Sequence, residues 1–119
     1  MKHFLLVGLG GAIGSILRYG SSLLIPAKSF PASTLLVNVA GSFIIGAIWA
    51  LSIKSQWFSD SWKLFLATGI CGGFTTFSTF SLENMQLLQQ GKYALLTLYI
   101  GSSICLGLLA VMAGYKLLQ

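Results

Sequence analysis

Thr68-Gly-Ile-Cys-Gly-Gly-Phe-Thr-Thr-Phe-Ser-Thr-Phe-Ser-Leu-Glu83 decides how the rest of the chain is read. It lies inside an apolar segment, yet it holds three glycines, six hydroxyl residues, three phenylalanines and an acid. In hydrocarbon an unpaired backbone group costs several kcal/mol, so a polar or broken helix survives there only against protein or a water-filled path. The Gly72-Gly73 pair weakens the helix where it sits, because glycine costs roughly 1 kcal/mol against alanine in a helix interior. Thr75, Thr76, Ser78, Thr79 and Ser81 supply donors, and Phe74, Phe77 and Phe80 recur every three residues. A span that needed only to be greasy would not be written this way. Something polar rests on it or passes beside it.

Around this stretch the chain is short and apolar: 119 residues, 55% hydrophobic and 8% charged, with mean hydropathy +0.86. Four apolar segments, Phe4–Ile25, Ala32–Ile53, Leu64–Leu88 and Ala94–Tyr115, have 22 to 25 residues each. A membrane span needs about 20 at the helical rise. The expectation is an all-α membrane protein, one four-helix transmembrane domain over residues 1–119, with the third helix broken at its centre. Little chain remains for a soluble part, so function lies in the membrane.

The net charge of +5 does not form a nucleic-acid patch. Lys2, Lys28, Lys54, Lys63, Lys92 and Lys116 all flank segments, as membrane-edge lysines do. For four spans, Lys2, Lys54, Lys63 and Lys116 fall on one side, and Lys28 and Lys92 on the other, joined by Arg18 if it reaches that interface. This is a weak bias under the positive-inside rule. It allows insertion in both orientations, and so an antiparallel dimer. Cys71 and Cys105 form no CxxC pair and read as small buried hydrophobes. Trp57 and Trp62 read as an interfacial belt.

In the first segment Gly10 and Gly14 form a GxxxG, and Gly11 with Ser15 a small-residue pair beside it, a face that lets another helix approach closely. A dinucleotide loop is excluded, since Ile13 stands where its third glycine belongs. Arg18 either snorkels to a headgroup region or sits at the mouth of an anion path. Lys28 to Pro31 reads as a turn, and Gln89-Gln-Gly-Lys92 as another. In the second segment Thr34, Asn38, Gly41, Ser42 and Ile45 share one face. Asn38 is either glue between helices or an amide donor aimed at a permeant anion. In the fourth, Tyr99 and Ser103 are four apart, so their hydroxyls share a face.

One histidine and two acids, Asp60 and Glu83, offer no enzyme constellation, metal-ligand spacing or phosphate loop. A small proton-coupled exporter would need a carboxylate deep in the membrane, and Phe4–Ile25 has none. There remains a path of neutral donors, Asn38, Thr76, Ser78, Thr79, Tyr99 and Ser103, which can replace an anion's water without gripping it by a fixed charge. Inward ring edges of Phe77 and Phe80 would add to it. Residues alone leave open whether that aromatic stripe is packing or pore, and they do not name the ion. A non-conducting assembly protein, with glycine faces for packing and hydroxyls as glue, is the other reading.

Three motifs then carry a resemblance: Gly10-Gly-Ala-Ile-Gly-Ser-Ile-Leu-Arg-Tyr19, Thr34-Leu-Leu-Val-Asn-Val-Ala-Gly-Ser-Phe43 and Gly69-Ile-Cys-Gly-Gly-Phe-Thr-Thr-Phe-Ser-Thr-Phe80. They fall in order on three of the four segments, and the chain resembles the Fluc/CrcB family of fluoride channels. The resemblance implies passive export of fluoride through an antiparallel, dual-topology homodimer, embedded in lipid of a bacterial cell membrane, with two pores lined by both subunits. It implies Phe77 and Phe80 as the pore phenylalanines, Asn38 as a donor, Thr79, Ser78, Tyr99 and Ser103 in the polar lining, and Arg18 in the vestibule. It further implies a structural sodium ion at the dimer centre, held by the backbone carbonyls of Gly72 and Thr75 from each chain. Glu83 matches a family acid. Gly107 departs from the pattern, since some relatives carry a hydroxyl there.

Overall fold

A chain with so few charges folds by satisfying its backbone within helices, because bilayer hydrocarbon offers no other partner. The computed structural model describes residues 1–26 and 30–119. Two of the four residues of the turn expected from Lys28 to Pro31, Lys28 and Ser29, lie outside the described residues. Helix α1 covers Lys2–Leu24 and α2 covers Ala32–Lys54. Helix α3, Asp60–Lys63, runs on through a π-helical stretch, Leu64–Cys71, into α4, Gly72–Phe74. Helices α5, Phe77–Gln89, and α6, Tyr93–Leu118, follow. Among the described residues, four helical runs are long and apolar enough to cross a membrane: Lys2–Leu24, Ala32–Lys54, Asp60–Gln89 and Tyr93–Leu118. The third of these is bent.

Small residues decide which spans touch. Helix α1 lies against the π stretch and α4, α2 lies along α6, and α5 also leans on α6. A Cβ added at Gly10 would run into Phe65 O and Gly69 Cα, and one at Gly14 into Ile70 O. From the facing side, a Cβ at Gly73 would strike Gly11 O. The GxxxG face is therefore a backbone-to-backbone contact, as its spacing implied. The second contact is built alike, with Gly46 against Val111 O and Gly114 against Phe43 O. In both, dispersion between closely approaching backbones replaces the hydrophobic drive that lipid does not supply.

Tyr99 and Val37 are the largest fully buried side chains. Ile48, Phe58 and Cys71 form a small apolar cluster where the chain returns between the second and third spans. Cys105 differs from expectation: it is exposed, because its side of α6 turns away from α2 and α5. Most large apolar residues of α1 are exposed too, Leu9 and Ile16 by 60% and 69%, as suits a surface meeting lipid. Trp57, just before α3, and Trp62, within it, stand exposed, and Ser59 caps this helix by accepting from the Trp62 amide at 3.4 Å. Gly91, with φ +73°, closes the turn between α5 and α6, a backbone conformation glycine adopts without strain.

The break in the third span falls later than the glycine pair. Gly72 and Gly73 are helical, and the extended residues are Thr75 (φ −87°, ψ 158°) and Thr76 (φ −153°, ψ 120°). Gly73 is there for contact with α1, and the chain opens where side chains offer the backbone better partners. Thr76 Oγ1 accepts from the Thr79 amide at 3.1 Å, an N-cap that starts α5.

Candidate functional site

The break is held from α2. Asn38 Oδ1 accepts from the Thr76 amide at 2.8 Å, and Asn38 Nδ2 donates to Thr76 O at 3.2 Å. This pair fixes which way the amide points, since only Oδ1 can accept from that amide. Asn38 is thus a staple on the extended segment, each bond contributing about 1 kcal/mol net. Its second Nδ2 hydrogen is not used by this pair, and Asn38 lines the adjoining cavity.

That cavity, of about 430 Å³, is lined by Asn38, Ser42, Phe77, Phe80 and Ser103 among others, and by Gly72 and Thr75 at the break. The Ser103 hydroxyl is buried and has no partner among the described residues, so it is a donor in waiting. The Phe77 and Phe80 ring centroids are 5.9 Å apart, and Phe80 meets Tyr99 edge-on at 4.9 Å. Phe77 is 79% exposed, so its ring stands out from this chain rather than within it. The aromatic stripe is packed at Phe80 and unpacked at Phe77.

Tyr99 belongs to a separate knot. Its hydroxyl donates to Glu83 Oε1 at 2.8 Å, and the Thr34 hydroxyl donates to Glu83 Oε2 at 3.0 Å. Glu83 therefore holds the second, third and fourth spans together at one end of the polar track. Nothing in the sequence around Glu83 names these partners, which come from 49 residues before it and 16 after it. Asn84 also escapes sequence reading. Its Nδ2 donates to Phe80 O at 2.9 Å, an i to i−4 bond on the ring's own carbonyl.

Arg18 lies elsewhere. Its Nε donates to Gly73 O at 3.1 Å, and it lines a second cavity, again about 430 Å³, with Ser15, Ser22, Ser33, Thr34 and Thr79. Arg18 therefore does not snorkel free: its Nε serves a carbonyl of α4, and its side chain shares a cavity with hydroxyl residues. Thr76 lines both cavities. Of the expected lining, Asn38, Phe77, Phe80 and Ser103 come together, Thr79 joins Arg18, and Tyr99 sits behind Phe80. Ser78 lines neither cavity; it is exposed beside Thr76, with their hydroxyl oxygens 3.3 Å apart.

Two carbonyls at the break are left without their helical donors. In a continuous helix, Gly72 O would receive the Thr76 amide and Thr75 O the Thr79 amide. Here the first goes to Asn38 Oδ1 and the second to Thr76 Oγ1. Both carbonyls thus lose their helical donor to a side chain. By contrast, Cys71 O receives the Thr75 amide at 3.0 Å and the Thr75 hydroxyl at 2.8 Å. The Thr75 methyl fills the space a Cβ at Gly41 would take, which fixes the side chain and with it the carbonyl.

The family model for CrcB-like protein, Camphor Resistance (CrcB), matches residues 5–115. A protein of Azobacteroides pseudotrichonymphae genomovar. CFP2 named "Fluoride-specific ion channel FluC" is 49% identical, covering 100% of this chain and 98% of its own length. One of that name from Thermus thermophilus is 48% identical over 98% of this chain and 95% of itself. "Fluoride-specific ion channel FluC 1" of Listeria monocytogenes serovar 1/2a is 42% identical over 98% of both. With the family model covering nearly the whole chain and such relatives matching end to end, this multi-pass membrane protein belongs to the CrcB family.

Proposed function

We propose that this chain is a fluoride-specific ion channel, not an enzyme, which lets fluoride leave the cell passively. The observation that carries the reading is a cavity where an Asn38 N–H, the unpartnered Ser103 hydroxyl and the Phe80 ring converge. It stands in a chain whose full-length relatives are named for that ion. Neutral donors can take the place of fluoride's water while leaving it free to move on. Positive ring edges supply further weak attraction. The Arg18 cavity raises the local anion concentration without standing on the dehydrated part of the path. The route runs from Arg18 past Thr79 and Thr34 to Thr76, the residue shared by both cavities, and on to Asn38, Ser103 and the rings. A negative-inside potential drives the anion outward at about 2.3 kcal/mol per charge per 100 mV.

The working unit in this reading is an antiparallel homodimer in a bacterial cell membrane. The weak lysine bias allows both orientations, and the exposed Phe77 ring is placed to serve a pore shared with a second copy. A structural sodium ion at the two-fold axis fits the carbonyl accounting. Gly72 O and Thr75 O are hard oxygen donors whose helical partners have gone elsewhere, and symmetry would bring four of them together.

Purified protein in liposomes loaded with fluoride should empty them rapidly without a proton gradient, and chloride should hardly move. Vesicles that keep their fluoride would overturn the reading. Replacing sodium by a large organic cation should weaken flux or split the dimer. Indifference to that exchange would remove the ion and leave the channel standing.

A further inference from the structure

Helices α2 and α6 run parallel, and their contact has a regular register. Ser42 lies beside Gly107 and Gly46 against Val111. A step of four residues back on both helices sets Asn38 level with Ser103, and another sets Thr34 level with Tyr99. The last two share Glu83, and the middle two line one cavity. The pairs thus form rungs, each with a polar side chain from both helices, until Ser42 and Gly107. There α6 contributes no side chain.

Close packing does not require a glycine at 107. At Gly46 and Gly114 a Cβ would strike backbone of the opposite helix. At Gly107, among the described residues, it would meet only Ser42 Oγ, at 3.7 Å, an ordinary contact. Gly107 therefore leaves room next to the Ser42 hydroxyl. That hydroxyl donates to Asn38 O at 2.7 Å, a carbonyl that the Ser42 amide also serves in a continuous α-helix. The hydroxyl hydrogen can then turn toward the cavity without stranding a buried acceptor. Such an exchange trades a neutral bond for a charge-assisted one, which is the stronger.

We infer that Ser42 is a further fluoride-contacting hydroxyl, the α2 half of a third rung, and that the missing side chain at Gly107 gives it room to rotate. The assignment rests on the fluoride reading above. Its test is fluoride efflux from liposomes, with chloride efflux and elution volume as controls. Ser42→Ala should slow fluoride efflux roughly fivefold, the worth of one modest hydrogen bond. Adding Gly107→Ser, which puts a hydroxyl back into the same gap from α6, should recover most of the rate. Adding Gly107→Ala instead should not, because it restores volume and no donor. Ser42→Cys, close in volume and a weak donor, is a second variant and should also be slow. Wild-type rates in Ser42→Ala or Ser42→Cys would overturn the assignment, as would equal recovery by alanine and serine at 107. Wild-type protein that moves no fluoride would overturn the fluoride reading itself, and this assignment with it.

Discussion

The two cavities on either side of Thr76 have the same volume, about 430 Å³, and opposite chemistry. One carries Arg18 among hydroxyls. The other is lined, among the described residues, by no charged side chain, and holds Phe77 and Phe80 beside Asn38 and Ser103. In the channel proposed above, the difference separates two tasks that work against each other. A fixed cation gathers anions from water, but in a low-dielectric passage it would bind one too tightly to release. Here the cation stands apart, half committed to Gly73 O, and the polar side chains lining the other cavity are neutral.

The largest predicted effect lies in the uncharged cavity. Phe80→Ile should reduce fluoride efflux to background while the protein still elutes as wild type, because it keeps apolar volume and removes the ring edges. Efflux at the normal rate in that variant would leave the rings with a packing role only. Next comes the boundary between the cavities. Asn38→Asp keeps the acceptor for the Thr76 amide, removes the donor to Thr76 O and places a negative charge beside the anion. Flux should fall by more than tenfold, while thermal stability in detergent drops by only about 1–3 kcal/mol; a parallel loss of both would make Asn38 a staple alone.

Framework comes third. Gly73→Ala places a methyl on the Gly11 carbonyl and should cost about 1–3 kcal/mol by overpacking, read as a lower unfolding temperature. Gly101→Ala, with open space around it, should be neutral and serves as control. The smallest effect belongs to the charged cavity. Arg18→Gln should slow efflux a few-fold in dilute salt and less at high ionic strength, where the Debye length shrinks to about 3 Å at 1 M. A salt-independent defect would point instead to the bond with Gly73 O.

Much of this is legible along the chain. Mean hydropathy and segment length mark four spans, and the spacing of Gly10 and Gly14 marks a packing face that proves to be one. The Thr68–Glu83 stretch announces a polar interruption, and three motifs identify the family. Other parts are not legible. The glycine pair draws the expected break toward itself, whereas the backbone opens at Thr75 and Thr76. Along the sequence Glu83 has no visible role, Ser78 reads as lining, and Cys105 reads as buried.

What the sequence determined by itself was the set of elements and their apolar character. Those depend on neighbours within a turn or two, and on a bilayer that satisfies no backbone group. Only the tertiary structure decided where the third span opens, which carbonyls lose their amides, and which hydroxyls face a common space. Those outcomes rest on pairs such as Asn38 with Thr76 and Thr34 with Glu83. Their partners lie 38 and 49 residues apart, and such bonds exist only after the helices have packed.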